Sequence, residues 1–545
     1  MNMTIEKTLK EKIQTALAQC GFAIPLEAIV IERARDPRHG DFATNVALQF
    51  AKKYELKPRT LAQKIIDHID TTGIAKMEIA GPGFLNFFLS DHTLTKVIER
   101  IHLEGDAFGH SDAGLGKSVN IEYVSANPTG DLHLGHARGA ALGDTLSRLL
   151  DAVCFKVTRE YYINDAGVQI DNLGASIRAR YHQLLHDPIP VPEDGYHAED
   201  IIDIAKVMIA EVGDRYLIDS DESEAYFKTR GTELELEKIR CDLHEFRVDF
   251  DVFTSEIAIR KDGAIPQLLE RLKQYTYEDK GATYLKTSAF GDDKDRVIIK
   301  SNGEYTYFLP DIVYHLDKLS RGHQCLINVL GADHHGYIKR MQAALSMCGY
   351  SDETLHVEMI QMVRLLKDGQ EFKMSKRTGN AITLRELYED VGVDAVRYFF
   401  VARGASSHLD FDIDLAKEAS TANPVYYAQY AHARLMAVLE KGANLGFFPA
   451  FLGEGLNEES EMQLLKELES FPAVVKDAAL TLSPYKITNY IQELSARIHR
   501  FYTECRIIDE SNPNLTASRL GLAKVSRITL KNALQLIGVS APDKM

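Results

Sequence analysis

The sequence is short of paired cysteines, of long apolar runs and of positive charge. Its six cysteines, Cys20, Cys154, Cys241, Cys325, Cys348 and Cys505, include no Cys-x-x-Cys pair. Zinc-finger spacing is therefore absent, and the thiols read as scattered buried side chains of a reducing compartment. No apolar run approaches the roughly 18 residues of a membrane span. The opening Met1-Asn2-Met3-Thr4-Ile5-Glu6-Lys7 has no basic stretch leading into an apolar core, so no signal peptide is expected. Lysine and arginine number 63 against 79 aspartates and glutamates, a formal charge of −16. A non-specific coater of nucleic acid is usually basic, which disfavours that class and leaves room for a local basic face. No internal repeat or low-complexity tract is apparent.

What is present is ordinary for a globular chain. With 45% hydrophobic and 26% charged residues, disorder and collagen-like repeats are excluded. At roughly 100–200 residues per domain, 545 residues suggest about three to four domains.

The first segment opens with Ile5, Leu9, Ile13 and Leu17 at helical spacing. Residues 42–68 read as helix with a break at Pro58, and residues 77–89 as strand interrupted by Gly81-Pro82-Gly83. A glycine-rich linker at residues 109–116 closes this α+β unit. Next, Val119, Ile121 and Tyr123 alternate as a strand. A loop, a helix over about 136–150 rich in small residues, and a strand over 157–163 follow. Strand, helix and strand at this spacing form a βαβ unit and imply a parallel sheet.

Residues 186–280 read as an insertion, mostly helical and charged. The doubly wound pattern resumes afterwards. Val297–Lys300 and Tyr305–Phe308 flank Asn302-Gly303, a hairpin signal. Cys325–Leu330 reads as a buried strand, with a helix carrying Ile338, Met341 and Leu345 after it. Met362–Leu366 reads as another strand. From about residue 394 the pattern is all helix, with a core-facing stripe Ile487, Ile491, Leu494, Ile498, Phe501 and Cys505.

Gly114-Leu115-Gly116-Lys117-Ser118 imitates the end of a phosphate-binding loop. That motif needs a glycine where Ser111 stands, and it must open a helix, whereas a strand follows here. It reads as linker. More informative is the stretch from Ala126 to His136, which joins the first strand of a parallel sheet to its helix. Ligands sit at the carboxyl ends of such strands, and a helix N-terminus favours phosphate. His133 and His136, with Gly135 between them, could donate hydrogen bonds to phosphate oxygens. A pair of surface or capping histidines is the plain alternative. Far downstream, Lys373-Met374-Ser375-Lys376-Arg377-Thr378-Gly379 follows a strand, and its lysines could neutralise a pyrophosphate leaving group.

Taken together, His133-Leu134-Gly135-His136 and Lys373-Met374-Ser375-Lys376-Arg377 resemble the two signatures of class I aminoacyl-tRNA synthetases. Glu122–Gly130, Tyr162–Gly167, Phe290–Arg296 and Gly331–Tyr337 narrow the resemblance to the arginyl-tRNA synthetases. Asp394-Ala395-Val396-Arg397 is similar to the motif that names that family's anticodon-binding domain, and Asn423–Arg434 to its start. Residues 36–45 and 79–89 resemble the family's tRNA-elbow domain. The chain departs from the family in having no tryptophan; Phe253 and Leu330 stand where relatives often carry one.

The resemblance implies an α/β fold: a Rossmann-like, doubly wound parallel-sheet catalytic domain over 113–393. It also implies an N-terminal α+β tRNA-elbow domain over 1–112 and an all-α anticodon-binding bundle over 394–545. It implies cytoplasmic, monomeric charging of tRNA(Arg) with L-arginine and ATP through an arginyl-adenylate, with magnesium carried by ATP and no protein-bound zinc. His133, His136, Lys373 and Lys376 would be catalytic. Pro128, Gly130, Gly135, Met374 and Ser375 would join His133, His136 and Lys376 around ATP. Ser125 and Asn127 would hold the amino-acid α-groups. Glu122, Glu256, Tyr307 and Asp311 would line the arginine site, with Asp333 near the substrate amino group or ribose. A planar cation demands carboxylates able to accept its fork of N–H groups. Without the resemblance, Asp311 after Pro310 would read as a helix N-cap, Glu256 as a solvated helix charge, and Asp333-His334-His335 as an incomplete metal set.

Two other classes compete. A small-molecule nucleotidyl transferase could share the His-x-Gly-His helix but would not need about 150 C-terminal helical residues. A silent tRNA-binding paralogue would be expected to lose the histidines or lysines. The basic residues Arg497, Arg500, Arg506, Arg519, Lys524, Arg527 and Lys531 read as a tRNA-facing run on the C-terminal helices.

Overall fold

The computed structural model describes residues 5–545 except residues 35, 262, 333–335 and 373–381, and the side chains of residues 37 and 261. Two compact units are present. One comprises Met1–Asp106, Leu435–Ser470 and Ala496–Ile528; the other comprises Ala107–Arg434, Phe471–Ser495 and Thr529–Met545.

In the first unit, helix Ile5–Gln19 buries Leu9, Ile13 and Leu17 at the spacing the sequence shows. A four-stranded antiparallel sheet runs in the order Glu32–Arg33, Phe42–Thr44, Phe84–Leu89, Ile74–Ala80. Residues 42–44, expected as helix, are thus a strand: Phe42 and Thr44 are buried on one side, a period of two. Lys466 pairs with Asp41 at 2.6 Å, and Arg519 donates to Glu461 at 2.7 Å. Arg519 is 9% exposed and also donates to the Arg506 carbonyl. It is a core ion pair, so its place in the tRNA-facing run is withdrawn.

The second unit is built on a five-stranded parallel sheet. In chain order its strands are Ser118–Glu122, Lys156–Ile163, Val252–Ser255, Cys325–Gly331 and Leu355–Ile360. In space the order is fifth, fourth, first, second, third, all parallel. This is the doubly wound arrangement, whose ligand crevice opens at the carboxyl ends of the first and fourth strands, where the winding reverses. Val252–Ser255 falls inside the stretch expected as a helical insertion, yet it is the sheet's edge strand. Helices Glu199–Val212 and Asp221–Glu245 do form the helical part.

Three further expectations change. The Asn302-Gly303 turn forms, with Gly303 at φ 84°, but the returning arm is a single bridge from Ile299 to Tyr305. Phe308 already begins a helix, Phe308–Ser320. Leu409–Asp412, placed in an all-helical region, is a strand beside Val363–Lys367. Of the thiols expected to be buried, Cys154 and Cys241 are exposed, and Cys20 and Cys325 are partly so.

Helix Leu134–Ala152 packs flush on the sheet because its small residues permit it. A Cβ on Gly143 would lie 2.2 Å from the Tyr123 ring. Two arginines anchor the surroundings of this helix. Arg138, fully buried, donates to the carbonyls of Gln361, Ser407 and Gly404 at 2.7–3.0 Å. Arg397 pairs with Asp144 and donates to the carbonyls of Ile537 and Phe246 at 3.0 Å. Removing one partner of a buried pair typically costs about 3–5 kcal/mol. The Asp394-Ala395-Val396-Arg397 motif is therefore a clamp within this unit: Asp394 also accepts from Gln429 and from the Ser540 amide.

Candidate active site

The first strand ends at Glu122, and the chain then turns sharply. Val124 and Ser125 lie at φ 66° and 40°. Consecutive left-handed residues without glycine, one of them β-branched, are strained and survive only where the surroundings hold them. Here Ser125 is held from both sides: its hydroxyl donates to Glu122 Oε1 at 3.2 Å and accepts from the Tyr162 amide at 3.1 Å. Asn127 donates to Gln169 Oε1 at 2.6 Å, and Tyr161 donates to the Ala126 carbonyl at 2.7 Å. Pro128 is buried, and Gly130 lies in open space at φ 156°.

This loop delivers His133 to the N-cap of helix Leu134–Ala152. The Gly135 amide donates to His133 Nδ1 at 3.2 Å, and the His133 amide donates to His136 Nδ1 at 3.4 Å. A ring nitrogen that accepts from an amide carries no proton, so in each neutral ring the proton is on Nε2. The rings stack at 3.7 Å, with 21° between their planes. Gly135 makes this possible, since a Cβ there would press on the His133 ring at 3.2 Å. Burial pulls both imidazoles below their usual range, His136 to about 4, with His133 adding repulsion. The pair is thus neutral at pH 7. The capping reading is correct and leaves the chemistry intact: the Nδ1 atoms satisfy orphan helix donors, and two Nε2–H groups remain to meet an anion.

Lys373, Met374, Ser375, Lys376, Asp333, His334 and His335 lie outside the described residues. The residues just beyond the second signature, from 382 on, are described. Thr383 bridges to His133, and the Leu384 amide donates to the Leu132 carbonyl at 2.7 Å. Thr383 caps helix Leu384–Val391 reciprocally with Glu386. The chain leaving the second signature is therefore fixed against the first.

Deeper in the crevice, three carboxylates converge. Glu122 is 7% exposed and holds the buried Lys318 ammonium on Oε2. Glu256 is 5% exposed and begins helix Glu256–Lys261. It pairs with Arg260, accepts from the Tyr162 hydroxyl, and accepts from the Asn164 amide at 2.9 Å when that amide is turned to face it. Asp165 sets its position by accepting from Ser255 Oγ and from the Ile257 amide at 3.0 Å. Glu256 is no solvated charge.

Asp311, on helix Phe308–Ser320, is half-buried, and no side chain among the described residues bonds or pairs with its carboxylate. It sits a full turn inside the helix, whose N-cap is Tyr307, so the N-cap alternative fails. Burial first, then the charges of Glu122 and Glu256, push its carboxyl up to about 7; Arg340 and Lys318 oppose this. Tyr307 is 77% exposed, and no hydrogen bond joins it to these carboxylates among the described residues. Sequence reasoning missed Thr383, Lys318, Asn328, His315, Tyr162 and Asn164. Thr383-Leu384-Arg385-Glu386 carried the Thr-x-x-Glu capping signature, and Asp311, His315 and Lys318 share one helical face.

The parallel sheet, its reversal point and the histidine-capped helix define a class I aminoacyl-tRNA synthetase. Residues 98–401 match the family "tRNA synthetases class I (R), catalytic domain". Residues 7–89 match "Arginyl tRNA synthetase N terminal domain", and residues 428–545 match "DALR anticodon binding domain". The arginine–tRNA ligases of Shouchella clausii (strain KSM-K16) and Bacillus subtilis (strain 168) are each 50% identical to this chain, over 99% of both sequences. The structure of Thermus thermophilus arginyl-tRNA synthetase shares the fold with a TM-score of 0.74, at 22% identity over 99% of this chain and 100% of that one. The chain belongs to the arginyl-tRNA synthetase family.

Proposed function

We infer that this ligase binds the arginine side chain between Asp311, Glu256 and Glu122, and ATP at the histidine-capped helix end of the same crevice. The observation that carries the reading is the Asp311 carboxylate. It is half-buried beside two other carboxylates, its charge opposed by Arg340 and Lys318 from a distance and bonded by no side chain among the described residues. Such a group awaits a cation, and a guanidinium supplies charge and several donors at once. Ser125 and Asn127 stand at the strand end, where the substrate's α-groups would lie.

Attack of the arginine carboxylate on the ATP α-phosphate would form arginyl-adenylate and release pyrophosphate. Transfer to the 3′ end of tRNA(Arg) would then release AMP. His133 and His136 donate to phosphate oxygens as neutral rings. Lys376, assisted by Lys373, meets the charge that develops on the leaving pyrophosphate, with Met374 and Ser375 also contacting ATP. Magnesium accompanies the ATP phosphates. Asp333 serves the amino group or ribose. The three-part division at residues 112 and 393 describes elbow recognition, catalysis and anticodon binding, carried out by a cytoplasmic monomer. Aminoacylation of total tRNA with each of the twenty amino acids tests the substrate: arginine alone should be charged, and charging of another amino acid would overturn the assignment.

A further inference from the structure

Helix Phe308–Ser320 is apolar on most of its buried surface, yet Asp311, His315 and Lys318 recur at spacings of four and three along one face. Beneath that face lie Glu122 and Asn328, register partners on the adjacent first and fourth strands. The five residues form one hydrogen-bonded chain. Lys318 Nζ donates to Glu122 Oε2 and, at 3.4 Å, to Asn328 Oδ1. Asn328 Nδ2 donates to His315 Nε2 at 2.8 Å, and His315 Nδ1 donates to the Asp311 carbonyl at 2.7 Å.

The directions are fixed. An ammonium only donates, so the Asn328 oxygen must face it. The Asn328 nitrogen then faces His315, whose Nε2 must accept. Burial and the nearby Lys318 charge keep that ring neutral, pulling it down to about 3. Lys318, His315 and Asn328 are at most 1% exposed, and the ammonium also lies 4.1 Å from the Tyr314 ring centroid.

We propose that Lys318, Asn328 and His315 are positioning residues that set the affinity for the amino-acid substrate. Lys318 is a resident cation bonded to Glu122 Oε2. The Asn328–His315 link carries that anchor to the backbone of Asp311, so that both carboxylates are held at a fixed separation. This rests on the reading of the carboxylate pocket as the arginine site. Without Lys318, three carboxylates would face one another in a poorly solvated crevice, and some would take up protons. The groups facing Asp311 are Glu122 on the first strand, Tyr162 on the second, Glu256 on its short helix, Lys318 on its own helix, and Tyr337 and Arg340 on helix Tyr337–Met347.

Three full-length variants test this by steady-state aminoacylation and thermal melting: Lys318→Met, Asn328→Leu and, as the control for the pocket, Asp311→Asn. Asn328→Leu keeps the Lys318–Glu122 pair and cuts the relay. It should raise the arginine KM about tenfold, with kcat and the ATP KM within about threefold of the parent. Lys318→Met should lower kcat/KM for arginine at least tenfold. It should also move the acidic limb of the pH profile upward by about one unit, because the remaining carboxylates titrate as a more repulsive set. A merely structural role would lower the melting temperature and leave the arginine KM and the limb in place, and that result overturns the proposal. If Lys318→Met does not fold, the KM split in Asn328→Leu decides. If Asp311→Asn raises the arginine KM while the other two do not, the proposal falls and the pocket stands. If Asp311→Asn is also silent, the pocket reading itself has failed.

Discussion

The two ends of the crevice solve opposite problems. At the helix end the ligand groups are neutral: two stacked imidazoles, both pulled below their usual range, spend one nitrogen each on the backbone. At the carboxylate end charge is concentrated: Glu122 and Glu256 both act on Asp311, Lys318 is bonded to Glu122, and Arg260 pairs with Glu256. An anion can be met by donors whose charge state never changes. On the proposed reading a cation is met by carboxylates, one of which, Asp311, burial pushes well above its ordinary value. The first device fits into four consecutive residues, because helix-end geometry supplies it. The second needs the first, second and fourth strands and several helices in register.

That difference explains what could be read from the sequence. The parallel sheet, the helix after the first strand and the His133–His136 pair were legible, since each is encoded locally. The carboxylates were legible only through family resemblance: nothing near Glu256 or Asp311 in the chain announces that sheet order will bring them together. The Asn328–Glu122 pairing depends on strand register, which no local pattern fixes. Two short strands were missed for another reason. Val252–Ser255 lies among charged helices, and Leu409–Asp412 stands next to helical stretches. Four residues show too few repeats to separate a period of two from 3.6.

The largest effect should come from the lysine proposed to act beside the neutral helix end. Lys376→Ala removes the charge proposed to meet the leaving pyrophosphate, and losing one such preorganised contact typically costs about 2.7–4 kcal/mol, or ~10²–10³ in rate. Single-turnover adenylate formation should fall by that factor, with tRNA affinity little changed. A variant within about threefold of the parent would remove Lys376 from the catalytic group.

A smaller loss is expected at the other end. Asp311→Asn keeps the shape and deletes the charge. A charge-assisted hydrogen bond contributes about 1.5–3 kcal/mol, so kcat/KM for arginine should fall at least tenfold, mainly through KM. The ATP KM should barely move. An unchanged arginine KM would reject the guanidinium role and make the two ends chemically alike.

The ends should also part company with pH. Asp311, raised to about 7, is protonated below that value. With ATP saturating, kcat/KM for arginine should therefore fall towards tenfold per unit as pH drops from 7 to 5.5. His136, near 4, does not titrate in that window. With arginine saturating, kcat/KM for ATP should stay flat over the same range. Parallel profiles for the two substrates would show that neither carboxylate repulsion nor imidazole neutrality governs binding.

The smallest effect concerns stability without substrate. A carboxyl raised in the folded state binds more protons there than in the unfolded chain, between its unfolded value of 3.8 and its folded value of about 7. Stability then decreases as pH rises through that window, and the full penalty is present at pH 8. Asp311→Asn removes the group that carries the penalty. Its melting temperature should exceed the parent's at pH 8, and the difference should shrink as pH falls and vanish only below the unfolded value of 3.8, where Asp311 is protonated in both states. Each kcal/mol of that penalty moves Tm by about 2–4 °C in domains of 150–250 residues, and by less in a larger cooperative unit, so the expected effect is a gain of a few degrees. Saturating arginine should reverse the sign at pH 8, because the parent binds it and the variant hardly does. A variant less stable than the parent at pH 8 without arginine would mean that Asp311 has a partner in the fold, and the empty-site account of the carboxylate end would have to be abandoned.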